Sequence, residues 1–450
     1  MTCDLQVPQG TGVTLNASPA GNSALEGWLA GCGTTGDPCT LTVDANHSVT
    51  VGFYLKNWLV PLGTASTEDP VQIAVDDNAG AIYVVGSTYG APANETPSLG
   101  SDIFLAKLDR VERLLWFKRI ILTGDQRATG VAVGPEGQIY VTGYSPGGDY
   151  AAQLARFEAD GTETWVESVV QPNSYLRAKG VGVLSNGEIV MAGEGDANLE
   201  GCLYGTSQRV LVKVFNPQTR AVTREKCVQG TTAQYVFGVN VVADKILVSG
   251  YTQGSVVGSV GNFQGYADAL LVRLDSQLNT TRAVIHSEPV YGADVFHGAT
   301  EDGSGNLYAV GTVVVPDGQE YRDAFAVVKF SSAGAVLGRY ALPSGTGGPQ
   351  GRSVGITSTG RILASGTASS VNGMAGQFQD VVLLSLASDL TDPQFVVFDS
   401  TSVDQPGAMA LSSDDEVFIL GTFHSSVEGF STLGQNDAYV IRYTADLQRR

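Results

Sequence analysis

Basic residues are scarce in this chain: 26 Lys and Arg stand against 45 Asp and Glu, giving a net charge of −19 and a pI near 4.5. That balance opposes phosphate backbones and anionic lipid surfaces, so nucleic acid is excluded as a partner. Charged residues make up only 16% of the chain, below the roughly 25% usual in soluble proteins. A run of about 20 apolar residues is missing as well, which excludes membrane insertion by a helix. No secretory signal opens the chain at Met1; for an exported protein this implies a leader already removed or a start trimmed away. Motifs of catalysis are also lacking, with no Gly-x-Ser-x-Gly elbow, phosphate loop or His-Glu-x-x-His pattern. Cysteines number five, and Cys32 and Cys39 do not have the paired spacing of a zinc site.

Glycine is abundant, at 56 residues, as expected of many short strands joined by tight turns. Seven phrases end in it: AIYVVG at Gly86, QIYVTG at Gly143, EIVMAG at Gly193, KILVSG at Gly250, NLYAVG at Gly311, RILASG at Gly366 and EVFILG at Gly421. Each is followed by a second β-branched and aromatic run, such as DIFLAKLD from Asp102, DALLVRLD from Asp268, DAFAVVKF from Asp323, DVVLLSLA from Asp380 and DAYVIRY from Asp437. These runs read as strands. Anchors recurring about every 50 to 60 residues define a repeat protein.

Each unit reads as four strands. The turn between the first and second is short (GPEG, LSNG, DGSG, TSTG), whereas the second and third are separated by long polar loops. Aligned on the turn that follows, one first-strand position holds Ala74, Ala132, Gly182, Asn240, Ala299, Gly355 and Ala410, all but one of them tiny. Strands crowding a shared axis require small side chains at one level, and a linear stack has no such axis. The expectation is an all-β, seven-bladed β-propeller of four-stranded antiparallel blades, occupying 57–450. The last unit lacks a fourth strand. KNWLVPLGT, at 56–64, matches the outer strand of early units, with Trp58 equivalent to Trp116 and Trp165, so 57–64 should complete the seventh blade and close the ring. Residues 1–56 read as a separate small β module in which Trp28 is the one large anchor and Cys32 and Cys39 lie close enough for a disulfide across a hairpin.

The phrases Ala-Val-Asp-x-x-x-Gly-x-Ile-Tyr-Val-x-Gly in the first unit and Asp-Ala-Phe-x-x-x-Lys in the fifth resemble the bacterial seven-bladed propeller repeat family, often written SBBP. That resemblance implies secreted or cell-surface binding and scaffold proteins, and it carries over no catalytic residues. Ala151, Gln208 and Ser385 depart from its pattern. The first module resembles the internalin-type B-repeat group through its Gly-Thr-x-Val-x-Leu-x-Ala-x-Pro run, its Gly-Trp and its paired cysteine loop. In that group Cys3 would pair with a preceding cysteine, which implies a truncated domain serving as spacer or stalk.

Inter-blade connections and the loops after the second strands share one face, where ligands are expected. The candidate ligand residues there are Asp69, Asp125, Asp294, His297, Asp404 and His424. A ring of carboxylates could hold Ca2+ through oxygen ligands, although aspartates in such turns commonly accept backbone hydrogen bonds instead; no cofactor is otherwise implied. Cys202 and Cys227 should reach the same face of blade three, and a bridge there, with Cys32 and Cys39, favours an oxidising, extracellular or surface location. The expected function is non-catalytic binding of a protein or surface glycan. The alternatives are a polysaccharide-processing hydrolase or lyase with two acids about 5 to 10 Å apart, and a ligand-free envelope spacer. Nothing in the sequence specifies the oligomeric state.

Overall fold

The computed structural model describes residues 6–18, 23–32, 38–55, 59–92, 95–96, 99–111, 113–122, 124–146, 151–169, 175–196, 208–288, 292–317, 320–342, 348–369, 380–398, 405–423 and 436–449. Two compact units divide the chain near Trp58. In the first, strands Thr11–Leu15 and Cys39–Val43 pair with each other, and Ser23–Ala30 pairs with Thr50–Leu55, both antiparallel. Trp28 is buried in this unit. The Cys32–Cys39 disulfide is present, with Cα atoms 5.9 Å apart. It spans the connection between strands of different sheets instead of crossing a hairpin.

The second unit is a seven-bladed propeller in which the four strands of each blade pair in order from the axis outward. The innermost strands are Glu68–Asp76, Arg127–Val133, Leu176–Val183, Gln234–Val242, Val295–Glu301, Gln350–Ile356 and Gln405–Leu411. The outer strand of blade seven is Leu59–Leu62, antiparallel to Asp437–Tyr443 with Leu62 opposite Ala438. N- and C-terminal parts of the propeller therefore share one sheet, as the repeat count implied. Trp58 lies outside the described residues.

Alternating apolar residues on both faces of each blade make the cores between blades. Leu62, Ile73, Phe104, Phe418 and Val440 are all buried in the cluster joining blades seven and one. Side chains of this size contribute about 1.5–3 kcal/mol each when fully buried. Trp116 and Trp165 pack in the same way, against Tyr83 and Tyr140 at centroid distances of 6.1 and 6.5 Å.

Blades four and five depart from the expected outline. A short fifth strand, Ser259–Val260, runs parallel to the outer strand of blade four. In blade five, Leu307–Asp317 and Glu320–Phe330 continue as one long hairpin where the sequence reading placed a loop. The extension is a continuous β-branched run from Thr312 to Val315, which favours strand, and the pairing continues to Asp317 opposite Glu320.

Every innermost strand also carries a bulge one residue after the partner of the repeat glycine, as at Pro70/Gln72, Ala128/Gly130 and Phe296/Gly298. Register places Thr300 opposite Tyr308, as Ala74 lies opposite Tyr83 and Ala132 opposite Tyr140. The small-residue level thus runs through Thr300 in blade five and not through Ala299, which is buried in the core between blades four and five. The crowding is between neighbouring inner strands. A Cβ on Gly182 would collide with Val241 of the next blade, and Asn240 uses its amide to bond the Ala299 carbonyl of the next blade at 3.1 Å.

Candidate ligand face at the channel mouth

The two ends of the channel are built differently. At the lower end the turns between first and second strands clamp one another. Ser185 N–H donates to Asp244 Oδ1 at 2.7 Å, Ser358 N–H to Asp415 Oδ1 at 2.7 Å, and Ser413 N–H to Asp77 Oδ2 at 3.0 Å, each across a blade boundary. The basic residues closing the third strands do similar work: Lys107 Nζ reaches the Ala159 carbonyl and Lys329 Nζ the Ser388 carbonyl, both at 2.8 Å. Where Ser385 replaces the basic residue, Arg361 Nε donates to its hydroxyl at 2.8 Å. Polar groups of this face are largely committed to joining blades.

At the upper end, apolar and aromatic side chains face solvent. Tyr89, Leu99, Ile121, Phe237, Val257, Tyr266 and Tyr321 are all exposed there, Tyr266 with 76% of its surface. Tyr89 belongs to a belt of aromatic rings near the mouth. Arg127 lies 5.9 Å from the Tyr89 ring, Arg177 lies between Tyr144 and Tyr175 at 5.9 and 5.5 Å, and Tyr235 stacks on Tyr251 at 4.5 Å. Burial between its neighbours pushes the Tyr251 phenol up to about 12.

The expected site residues are distributed as follows. Asp69, near the start of the innermost strand of blade one, faces Arg127 at 3.8 Å. Asp125 accepts the Ser101 N–H at 3.0 Å and so ties the loop of blade one to the connection into blade two. Asp294 is buried and accepts the N–H groups of Glu288 and Val314, both at 2.8 Å; burial holds its carboxyl above the usual range despite these bonds. Asp404 and His424 lie outside the described residues, as does Cys202; Cys227 is buried and disulfide-bonded. Among the described residues no group of three or more His, Cys, Asp or Glu converges in a way that could hold a metal. Asp69, Asp125 and Asp294 are thus each engaged by a backbone amide or an arginine.

Among the described members of the set, His297 alone lines the channel, a cavity of about 750 Å3. It is the bulge residue of blade five, and the corresponding bulges of blades three, four and six place Lys179, Phe237 and Arg352 on the same wall. A bulge leaves its extra residue unpaired in the ladder and re-aims the side chain. The edge of His297 meets Phe237 at 5.0 Å, and Lys179 Nζ lies 5.7 Å from the Phe237 centroid and 3.2 Å from Glu194 Oε1. Burial, together with the charge of Arg352, pushes the His297 imidazole down to about 3. In blades one and two the same bulge holds Val71 and Thr129. Sequence reasoning missed Lys179, Phe237 and Arg352 because the bulge is invisible in a strand pattern. Only the position one residue past the partner of the repeat glycine could have pointed to them.

No protein-family model matches the sequence, and no curated protein matches it. Solved structures do. Virginiamycin B lyase from Staphylococcus aureus aligns over 85% of this chain and 98% of its own at 10% identity, with a TM-score of 0.50. Hydrazine synthase from Kuenenia stuttgartiensis covers 78% of this chain and 92% of its own at 12% identity and a TM-score of 0.48. At such identities the likeness is one of fold.

Proposed function

We propose that this chain is an exported, non-catalytic binding or scaffold propeller that recognises a surface glycan or another protein through its upper face. The observation that carries this reading is the contrast between the two ends of the channel: lower-face polar groups are spent on joining blades, while the upper face presents Tyr89, Phe237, Tyr266 and Tyr321 to solvent. Rigid aromatic rings among Gly, Ser and Asn residues give contact area at little cost in conformational entropy, and tyrosine and tryptophan recur as binding hot spots. The disulfides at Cys32–Cys39 and Cys227 support an oxidising, extracellular or surface location. The polysaccharide-processing alternative needs a facing pair of acids. Among the described residues the channel wall contains no Asp or Glu, which weighs against it.

The test is a glycan array and a pull-down from envelope extract with the full chain, repeated with the Tyr89→Ser/Tyr266→Ser double variant. Retained folding with at least tenfold weaker capture is expected. Capture indifferent to both substitutions, or turnover of a polysaccharide, would overturn the reading.

A further inference from the structure

Three features of the channel mouth converge on one ligand chemistry. First, Arg352 extends from the blade-six bulge into the channel wall without an ion pair or hydrogen-bond acceptor among the described residues; its Nε is buried and unpartnered. Arg352 is half-buried, and an arginine stays charged even when partly desolvated, so its guanidinium favours an anionic partner. Second, His297 beside it has its Nδ1 buried without a partner. In the neutral ring with the proton on Nε2, Nδ1 is an acceptor awaiting a donor. Third, Phe237 offers a flat apolar ring with 43% of its surface exposed, next to the Lys179 ammonium. The cavity, at about 750 Å3, is in the range that takes small organic ligands. In a protein carrying a net charge of −19, the described channel wall has two cations and no carboxylate.

We propose that the channel mouth binds an acidic sugar: Arg352 forks the carboxylate, His297 Nδ1 accepts a hydrogen bond from a neighbouring hydroxyl, and Phe237 packs on the apolar face of the ring. Guanidinium matches carboxylate in a bidentate, planar fashion. A simple inorganic anion satisfies Arg352 and leaves Nδ1 unserved, whereas a hydroxylated carboxylate satisfies both. Lys179 adds attraction without direct contact, since Glu194 already holds it. The inference rests on the upper face being the ligand face and narrows what that face takes.

Calorimetric titration of the full chain with an oligogalacturonate, its fully methyl-esterified form and a neutral galacto-oligosaccharide tests it. The acid is expected to bind, and the ester and the neutral sugar at least tenfold more weakly. Arg352→Met should lose tenfold or more for the acid alone; Arg352→Lys, which keeps the charge and loses the fork, should fall between; both should unfold at the parent's denaturant midpoint. Equal affinity for acid and ester, no binding of the acid at millimolar concentration, or an Arg352→Met variant that folds and binds unchanged would each overturn the proposal. Glycan binding lost in Tyr89→Ser/Tyr266→Ser, with acid binding unchanged in Arg352→Met, leaves the broader binding reading standing and removes this one. Acid binding lost in Arg352→Met but indifferent to the tyrosine variants does the reverse.

Discussion

Glu68 and His297 show how burial inside the ring is recorded in the protonation of single side chains. Glu68 begins the innermost strand of blade one with no exposed surface; its Oε1 accepts the hydroxyls of Thr64 and Thr88 at 2.6 and 2.8 Å, while Oε2 has no partner. Burial raises its carboxyl above the usual glutamate range against the pull of those hydroxyls, and nearby Asp437 adds to the rise. A folded-state value above the unfolded one means that the folded protein binds the extra proton, so this contribution to stability is present in acid and lost as pH rises through the folded value. Glu68→Gln keeps an acceptor for both hydroxyls and replaces the unpartnered oxygen with a donor. It should stabilise the propeller by about 1 kcal/mol at neutral pH, the gain shrinking as pH falls below the ordinary glutamate range, as read from denaturant midpoints. His297 runs the other way. Its folded value near 3 lies below the ordinary histidine value, so the unfolded chain takes up the proton first and stability drains away as pH falls from about 6.5 towards 3. His297→Asn should flatten that slope relative to the parent, by on the order of a few kcal/mol across the window; identical pH profiles for parent and variant would remove the argument.

At the scale of strands, the closing segment Leu59–Leu62 is the one element whose place depends on the whole ring. Leu62 is completely buried between blades seven and one, so Leu62→Ala should cost about 2–5 kcal/mol, detectable as a lower guanidinium midpoint and as faster proteolysis near the seam. Pro61 is tolerated in this strand because an outer strand leaves one row of backbone donors unused. That pairing was legible in the sequence, because a missing fourth strand at one end and a spare one at the other can be counted. So were the strand order and the lower turns, which follow from glycine spacing and β-branched runs. The bulges were not. They cost one residue of register without altering composition, so the alignment of blade five slipped from Thr300 to Ala299, and the side chains they turn into the channel went unnoticed. His297 was found for its chemistry alone, and neither Phe237 nor Arg352 stood out in the strand pattern. Asp323 shows the same limit: its counterparts Asp102, Asp268, Asp380 and Asp437 start their strands buried, whereas Asp323 lies exposed within the lengthened hairpin of blade five.

For the molecule as a whole, the ring decides where the chain can be cut. Every blade packs both faces against neighbours, so removing one strand opens a sheet edge and loosens a core shared by two blades. Residues 1–58 and 59–449 each hold their own internal contacts, with the boundary immediately before the closing strand. Residues 59–450 expressed alone should therefore unfold in a single cooperative transition, followed by circular dichroism in guanidinium. A polypeptide starting at residue 65 leaves the backbone of Asp437–Tyr443 unpaired on its outer side, because Ala438 to Ile441 are the register partners of Leu62 to Leu59. It should unfold at a clearly lower midpoint and associate at micromolar concentration through that edge. A synthetic peptide covering 57–64, added in excess, should raise the midpoint by strand addition. Equal midpoints for the two polypeptides would mean that six closed blade boundaries suffice and that the seventh contributes nothing to stability.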